Sequence, residues 1–199
     1  PMKIAEITVK QLDESVEISG RIVSIRDLTK GCKFVIQDET GKIPLILWAN
    51  VLEEIAERDQ LRAGAEIAAR GRVSEYKGEL RVVPGRGSDI KLLTPADDQT
   101  RPSTPLAQLA SVGVGRSVWV TGVITSLELF SKGAKVHITD GTGTAIILLW
   151  QNVYDALPDK DSLTLDTRIG VFGEVNRYRD DWEIVPRSKM ELIILEKAP

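Results

Sequence analysis

Cysteine, histidine and long apolar runs are nearly absent from this chain of 199 residues. The single cysteine and single histidine exclude an internal disulfide and a cysteine-built zinc site. There is no phosphate-binding loop and no glycine-rich dinucleotide fingerprint, and the carboxylates are scattered over predicted helices and turns. We therefore expect no enzymatic activity, no cofactor and no bound metal.

No apolar segment approaches the roughly 20 residues that are needed to span a membrane, and no secretory signal is visible. We expect a cytoplasmic protein without a membrane partner. Positive charge is not in excess either, because the net charge is −3 and the isoelectric point is about 5.4. This profile disfavours a tight, sequence-blind coat on nucleic acid. It does not exclude local basic surfaces, since phosphates respond to the local field.

What the chain does contain is a duplication. Adding 102 to a residue number in the first half gives its counterpart in the second half without a gap, so that Trp48 aligns with Trp150. About 26 of about 95 aligned pairs are identical. The intervening TPADDQTRPST is rich in Pro, Thr and Asp, as linkers are. We predict two domains, residues 1–93 and 105–199, joined by a linker at 94–104.

Each copy has the hydrophobic pattern of several short strands and one helix. In the first copy VEISGRIVSI alternates apolar and polar residues, and CKFVIQD and KIPLILW follow as strands. VLEEIAERDQL has the spacing of a short amphipathic helix, AEIAARGRV and ELRVVP form a last hairpin, and SDIKLL is a tail strand. Gly20 and Gly71 lie inside strands, which indicates bulges or tight bends. Three strands, a helix and two strands predict an all-β fold of two tandem five-stranded OB barrels with one short helix each.

These segments also resemble a known family. DETGKIPLILW, the helix after it and GRVSEYKGELRVVPGRGSDI resemble the DNA-binding OB domains of archaeal replication protein A, an OB class shared with tRNA-synthetase anticodon-binding domains. The opening MKIAEIT and VEISGRIVSI resemble the start of such a domain, and DGTGTAIILLW and RYRDDWEIVP carry the pattern in the second copy. The chain departs from the family in being acidic and in lacking the zinc-ribbon cysteines of some members.

The resemblance implies stacking residues. In that family an aromatic side chain near the end of the third strand stacks on a base, and the matching positions here are Trp48 and Trp150. Tyr76 and Tyr178 are the nearest candidates for a second stacking aromatic at the last hairpin. OB domains of this class bind DNA, RNA or proteins, so the resemblance identifies the fold better than the ligand.

The two copies differ in charge at aligned positions. Binding of a single strand requires aromatic platforms for the bases and positive charge along the phosphates. At five positions the first copy has arginine where the second has three acids and two apolar residues: Arg21, Arg26, Arg70, Arg72 and Arg81 against Val123, Glu128, Phe172, Glu174 and Glu183. Further cations of the first copy are Lys30, Lys33, Lys77 and Arg86.

The second copy instead groups aromatic and basic residues at two predicted loops that flank the usual OB groove. They are Phe130, Lys132, Arg177, Tyr178, Arg179 and Trp182. We therefore predict that the first copy holds phosphates and the second holds bases. The leading hypothesis is a protein that binds single-stranded nucleic acid, DNA before RNA, with low sequence specificity, in replication, recombination or repair.

Alternatives remain open at this stage. Trp48 and Trp150 could cap the barrel cores, because both faces of IPLILW are apolar, and Arg70 and Arg72 could be ordinary charges on a solvated strand. The tyrosines could be structural plugs of their hairpins. RNA is a consistent ligand, since no feature visibly reads the 2′-OH.

A different class of function is also consistent with the pattern. The loss of arginine from the second copy fits a surface that packs on the first barrel, on a second copy of the chain or on a partner protein. Phe172 in place of Arg70 favours this interpretation for that position. Because Pro1 precedes Met2, the chain can also be a fragment, a module of a larger nucleic-acid-processing protein.

Overall fold

The structure is a computed structural model that describes all 199 residues. The chain divides into two compact units, Pro1–Asp97 and Asp98–Pro199, here called barrel 1 and barrel 2. The strands of barrel 1 are β1 (Ser15–Leu28), β2 (Gly31–Gln37), β3 (Lys42–Trp48), β4 (Glu66–Tyr76), β5 (Glu79–Val83) and β6 (Ile90–Thr94). Those of barrel 2 are β7 (Ser117–Phe130), β8 (Gly133–Thr139), β9 (Thr144–Trp150), β10 (Arg168–Tyr178), β11 (Asp181–Val185) and β12 (Leu192–Glu196).

Both units are closed five-stranded barrels. In barrel 1 the ring runs β1-β2-β3-β5-β4 and closes because β4 also pairs with β1, and in barrel 2 it runs β7-β8-β9-β11-β10 and closes in the same way. The β3–β5 and β9–β11 pairs are parallel. The tail strands β6 and β12 pair with β4 and β10 outside the ring. This topology confirms two tandem OB barrels, in which each strand of the second lies 102 residues after its counterpart.

The helices are shorter than the predicted helix over 51–61. Helix α1 spans Ala49–Glu53, and a separate 3₁₀ helix follows at Arg58–Gln60. Ile55 lies between the two and is still buried, so the apolar spacing identified an inward side chain but not the break in the helix. The other helices are α2 (Leu109–Val112), α3 (Gln151–Ala156) and 3₁₀ helices at Ile4–Glu6, Val9–Gln11, Gly87–Asp89, Leu106–Gln108, Lys160–Ser162 and Lys189–Glu191. None of the helices combines the length and apolar character required to cross a membrane.

The two glycines inside strands of barrel 1 allow close approach of neighbouring backbones. A Cβ atom at Gly20 would lie 2.4 Å from the carbonyl oxygen of Gln37, and one at Gly71 would lie 2.8 Å from that of Val83. The bulge in β1 lies elsewhere, at the register shift just before Ser24. These glycines therefore tighten the barrel, whereas the bulge was not predicted at its actual position.

The turn DETG fastens the N-terminal segment to the β2–β3 hairpin. Oδ1 of Asp38 accepts hydrogen bonds from the backbone N–H groups of Thr40 and Gly41 and from the Thr40 hydroxyl, and Oδ2 accepts from the N–H of Ile4. Partial burial raises the pKa of Asp38, but these hydrogen bonds outweigh it and hold the pKa well below its ordinary value. Asp140 repeats the arrangement in barrel 2, where its pKa is also lowered.

Candidate nucleic-acid interface

The third strand of each barrel ends at an exposed tryptophan. Ile43, Leu45 and Leu47 point into the core of barrel 1, so alternation places Trp48 on the outer face, the side of the strands away from the core. The Trp48 side chain is 38% exposed and that of Trp150 is 43% exposed. Neither ring caps a core, and both are accessible for stacking.

Arginines of β4 and β5 lie on the same outer face as Trp48. Ser74 pairs in register with Arg81, and Arg72 pairs with Val83. A groove of about 740 Å³ is lined by Trp48 and by residues of β4, β5 and the loop that follows β5. We call this surface the arginine groove, after four of its lining residues: Arg70, Arg72, Arg81 and Arg86.

The four guanidinium groups of the arginine groove are free of ion pairs with carboxylates. Two of them are anchored by neutral groups instead. Arg70 Nε donates to the hydroxyl of Ser15 at 3.4 Å, and Arg81 Nε donates to that of Ser74 at 3.0 Å. Asp89 also lines the groove, but its carboxylate accepts hydrogen bonds from backbone N–H groups. The groove therefore has four guanidinium groups against one carboxylate, and its net charge is positive.

Two other predicted cations of barrel 1 are already paired with carboxylates. Arg21 forms an ion pair with Glu66 at 3.0 Å, and Lys33 forms one with Glu79 at 2.8 Å. Arg26 is the cross-strand neighbour of Lys33 and is exposed. Exposed ion pairs contribute little to stability, but they reduce the charge that is available to a phosphate.

The β4–β5 hairpin adds a second aromatic ring. Tyr76 is 55% exposed, which contradicts its interpretation as a buried plug. The guanidinium carbon of Arg81 lies 4.9 Å from the Tyr76 ring centroid, and Lys77 Nζ lies 5.4 Å from it. Cations close to an exposed ring favour the binding of a nucleic-acid strand there.

Barrel 2 has no counterpart of the arginine groove. Glu174 stands in the place of Arg72 and accepts a hydrogen bond from the guanidinium of Arg187 at 2.6 Å. Phe172 stands in the place of Arg70, and the guanidinium carbon of Arg101 lies 5.3 Å from its ring centroid. Arginines of barrel 2 itself thus contact both Glu174 and Phe172.

An aromatic cluster occupies the outer face of barrel 2. The rings of Phe130 and Trp150 meet edge to face, with centroids 6.3 Å apart. Lys135 Nζ lies 5.9 Å from the Phe130 centroid and 5.8 Å from that of Tyr178. We call these four residues the aromatic cluster. Arg179 lies over the Tyr178 ring at 5.3 Å and flanks it.

The structure does not bring all the predicted residues of barrel 2 together. Trp182 packs against the hydrophobic core, with Arg177 over its ring at 4.9 Å, and Lys132 is exposed after β7. Two residues of the site were missed, although a signal existed for each. Lys135 is identical to its aligned counterpart Lys33, and Arg86 was recognised as a cation without being placed in the site.

Metal-binding and nucleophilic groups are not assembled anywhere in the structure. No group of three or more His, Cys, Asp or Glu side chains is placed to hold a metal ion. Cys32 is buried and its thiol donates to Asp27 at 3.3 Å. The chemistry on the surface is therefore that of charges, hydrogen bonds and aromatic rings.

The fold and the surface define a tandem OB-fold protein with a basic, aromatic-lined face. Both barrels match the family model described as "OB-fold nucleic acid binding domain", over residues 16–89 and 118–194. Because these segments make up most of the chain, the protein belongs to this nucleic-acid-binding family.

One curated relative is CST complex subunit STN1 of Arabidopsis thaliana. It is 36% identical over an alignment of 86 residues, and the match covers 34% of this chain and 53% of that protein. The chain thus spans about half the length of the curated relative that it matches.

Two solved structures were matched to the chain, and the first is similar in fold. A replication protein A heterotrimer bound to ssDNA matches all of this chain and 52% of that chain, with 13% identity and a TM-score of 0.60. The S. pombe Stn1–Ten1 complex matches 40% of this chain and 58% of that chain, with 18% identity and a TM-score of 0.35. The first comparison confirms the expected likeness to replication protein A at the level of the fold.

Proposed function

We propose that this protein binds single-stranded nucleic acid, DNA in the first place, and that the arginine groove of barrel 1 is its principal binding surface. The observation that carries the proposal is that an exposed tryptophan and four unpaired arginines line one groove. The ring of Trp48 offers a platform for a base, and the arginines follow the backbone of the strand. Stacking on such a ring requires bases that are not already stacked in a duplex.

Low sequence specificity follows from the same groove. Guanidinium groups bind phosphates whatever the base, and a tryptophan ring stacks on any base. Asp89 is one carboxylate among the lining residues, and its Oδ2 accepts hydrogen bonds from the N–H groups of Gly85 and Arg86. The relatives support the choice of ligand, since the similar replication protein A structure was determined bound to ssDNA. A role in DNA replication, without catalysis by this chain, is consistent with that likeness.

The proposal is tested by Trp48→Ala, with Trp150→Ala as the matched variant in barrel 2. We expect Trp48→Ala to weaken binding of a labelled oligo-dT, measured by fluorescence anisotropy, by about 1–3 kcal/mol. Trp150→Ala should cost less, because the face of barrel 2 lacks the free arginines. Thermal unfolding of each variant verifies the fold. A folded Trp48→Ala protein with undiminished affinity would show that the groove is not the binding surface. Competition with oligo-U of equal length distinguishes DNA from RNA.

A second candidate function is protein binding by barrel 2. Leu129, which is 63% exposed, and Leu127, which is 38% exposed, lie on β7 of barrel 2. The named relatives are parts of complexes, one a CST complex subunit and the other a heterotrimer. Sedimentation of the purified chain at several concentrations tests self-association, and Leu129→Ser should abolish any dimer that uses this surface.

A further inference from the structure

A glutamate is buried on the outer face of barrel 2, at the position where barrel 1 has an arginine of its groove. Glu183 on β11 pairs in register with Asn176 on β10 and with Ile146 on β9. Alternation along these strands turns Glu183 away from the core, because its neighbour Ile184 is completely buried in it. Its counterpart in barrel 1 is Arg81.

The environment of this carboxylate is only partly satisfied. Glu183 is 3% exposed, and its Oε2 accepts a hydrogen bond from Asn176 Nδ2 at 3.0 Å. Its Oε1 accepts no hydrogen bond from the protein, and no cation forms an ion pair with it. Oε1 is not itself fully buried, so it reaches the surface with no protein partner and can accept a hydrogen bond from a ligand.

The aromatic cluster lies beside this carboxylate. Tyr178 is two residues from Asn176 on the same face of β10, which places it diagonally across from Glu183. Lys135 spans from the Tyr178 ring to that of Phe130. Glu183 is therefore a diagonal cross-strand neighbour of a ring on which a base can stack.

From these observations we propose that barrel 2 carries a base-reading site, in which Glu183 accepts a hydrogen bond from the exocyclic amino group of a base stacked on the aromatic cluster. A carboxylate repels phosphates, so this face selects bases where the groove of barrel 1 selects the backbone. The amino group of cytosine donates to a carboxylate, whereas thymine presents a carbonyl oxygen at the same position and is rejected. The inference rests on the proposed function and adds a preference for cytosine over thymine.

The test compares labelled oligo-dC and oligo-dT of equal length, bound to the full chain and followed by fluorescence anisotropy. We expect wild type to bind oligo-dC at least about fivefold more tightly than oligo-dT. Glu183→Gln keeps the size of the side chain and its bond to Asn176 while adding a donor that thymine accepts, so the dC/dT ratio should fall toward one. Glu174→Gln is the matched control, since this acid is engaged by Arg187, and it should leave the ratio unchanged.

Each outcome is informative. If wild type binds neither oligomer, the proposed function fails and the inference fails with it. If wild type binds both equally, or if Glu183→Gln folds and keeps the preference, the proposed function stands and the base-reading site is wrong. Thermal unfolding verifies the fold of the variants. Should Glu183→Gln be unfolded, Asn176→Ser replaces it in the test, because it removes the donor that orients Glu183 and introduces the residue of barrel 1. An unchanged ratio in that folded variant would likewise overturn the site.

Discussion

Gly85 of barrel 1 and Arg187 of barrel 2 occupy the same place after the last strand of the barrel ring. Barrel 2 therefore has an arginine side chain where barrel 1 has none. A Cβ atom at Gly85 would have only a carboxylate oxygen of Asp89 near it, at 3.9 Å, so the groove is open there. In barrel 2, Arg187 fills this place and binds Glu174. In barrel 2 this pair of substitutions closes the place that lies beside Arg72 in barrel 1, and Arg70, Arg81 and Arg86 are also replaced by other residues there.

We therefore predict that the Arg187–Glu174 ion pair of barrel 2 can be built into the groove of barrel 1. The double variant Arg72→Glu with Gly85→Arg should form the ion pair of barrel 2 inside the arginine groove. We expect its affinity for oligo-dT to fall at least about tenfold, because a phosphate partner is replaced by an engaged pair. Gly85→Arg alone adds a cation and should bind at least as tightly as wild type in the same anisotropy assay. An equal loss in the single variant would contradict the role that we give to charge.

The partly buried Asp38 of the DETG turn predicts a pH-dependent contribution to stability. The folded-state pKa of Asp38 lies below the value of about 3.9 for an unfolded aspartate. The stabilisation that ionised Asp38 provides is therefore complete above about pH 3.9. It is lost as the pH falls from there toward the folded-state pKa. In Asp38→Asn the amide nitrogen would face the N–H of Ile4, so at pH 7 we expect a loss of about 1–3 kcal/mol in the free energy of unfolding.

Urea denaturation at a series of pH values measures this effect. The difference between wild type and Asp38→Asn should shrink as the pH falls from about 5 toward 2. Asp59→Asn, at an exposed position, serves as the control and should track wild type. A difference that stays constant over this range would show that the charge of Asp38 is not what stabilises the turn.

At the scale of elements, the β4–β5 hairpin combines backbone strain with an exposed cation and an exposed tyrosine. Lys77 has φ of 53° and Gly78 has φ of 80°, in the left-handed region that hairpin turns fill with Asn-Gly. A lysine pays a conformational cost there, and Arg179 does the same in barrel 2 with φ of 56°. Both copies therefore keep a long cation beside an exposed tyrosine where a smaller residue would fold more easily.

We accordingly expect Lys77→Asn to raise stability and lower affinity together. Relief of the left-handed strain should increase the free energy of unfolding by about 1 kcal/mol. Loss of one phosphate contact should reduce the salt dependence of binding by about 0.7 in the log–log slope. Chemical denaturation and anisotropy titrations at several salt concentrations measure the two effects. Lys91→Gln, on β6 and outside the groove lining, should change neither slope nor affinity. A variant that gains stability without losing affinity would show that the hairpin takes no part in binding.

The strands and their order could be predicted because burial on one side of a strand has a period of two residues, and because the ungapped repeat supplied a second example of each strand. The side on which Trp48 lies could not be predicted. Pro44 and Ile46 are buried on the outer face of β3 while Leu45 and Leu47 are buried in the core, so the strand has no polar side. Only the pairing of the strands in three dimensions shows which side of β3 faces the core.

Which cations are free could not be predicted either. Arg21 finds Glu66 across the β1–β4 pair, 45 residues away in the chain. An arginine with such a partner and one without are indistinguishable in sequence. The lost arginines of the second copy did indicate that its surface differs, but the burial of Glu183 became visible only once β9, β10 and β11 were in place around it.

At the scale of the whole molecule, the two barrels differ in where charge lies rather than in how much they carry. Each contains more acidic than basic residues. Barrel 1 nevertheless gathers four unpaired arginines in one groove. Barrel 2 has other residues at the aligned positions, and its Arg187 forms an ion pair with Glu174. Net charge is therefore a poor guide to binding here, because a bound strand experiences the field of the groove at distances of about one Debye length or less.

This placement predicts how binding depends on salt. Five phosphate contacts on a single strand, from the four arginines of the groove and Lys77, should give a slope of about −3.5 in a plot of log K against log salt concentration. Replacing Arg70, Arg72 or Arg86 by Gln should each reduce the slope by about 0.7, without changing which homopolymer is preferred. Arg21→Gln is the matched control, because Arg21 is already neutralised by Glu66, and its slope should equal that of wild type. If Arg21→Gln changes the slope as much as Arg72→Gln does, then a diffuse field attracts the strand, and the arginine groove is not where its phosphates lie.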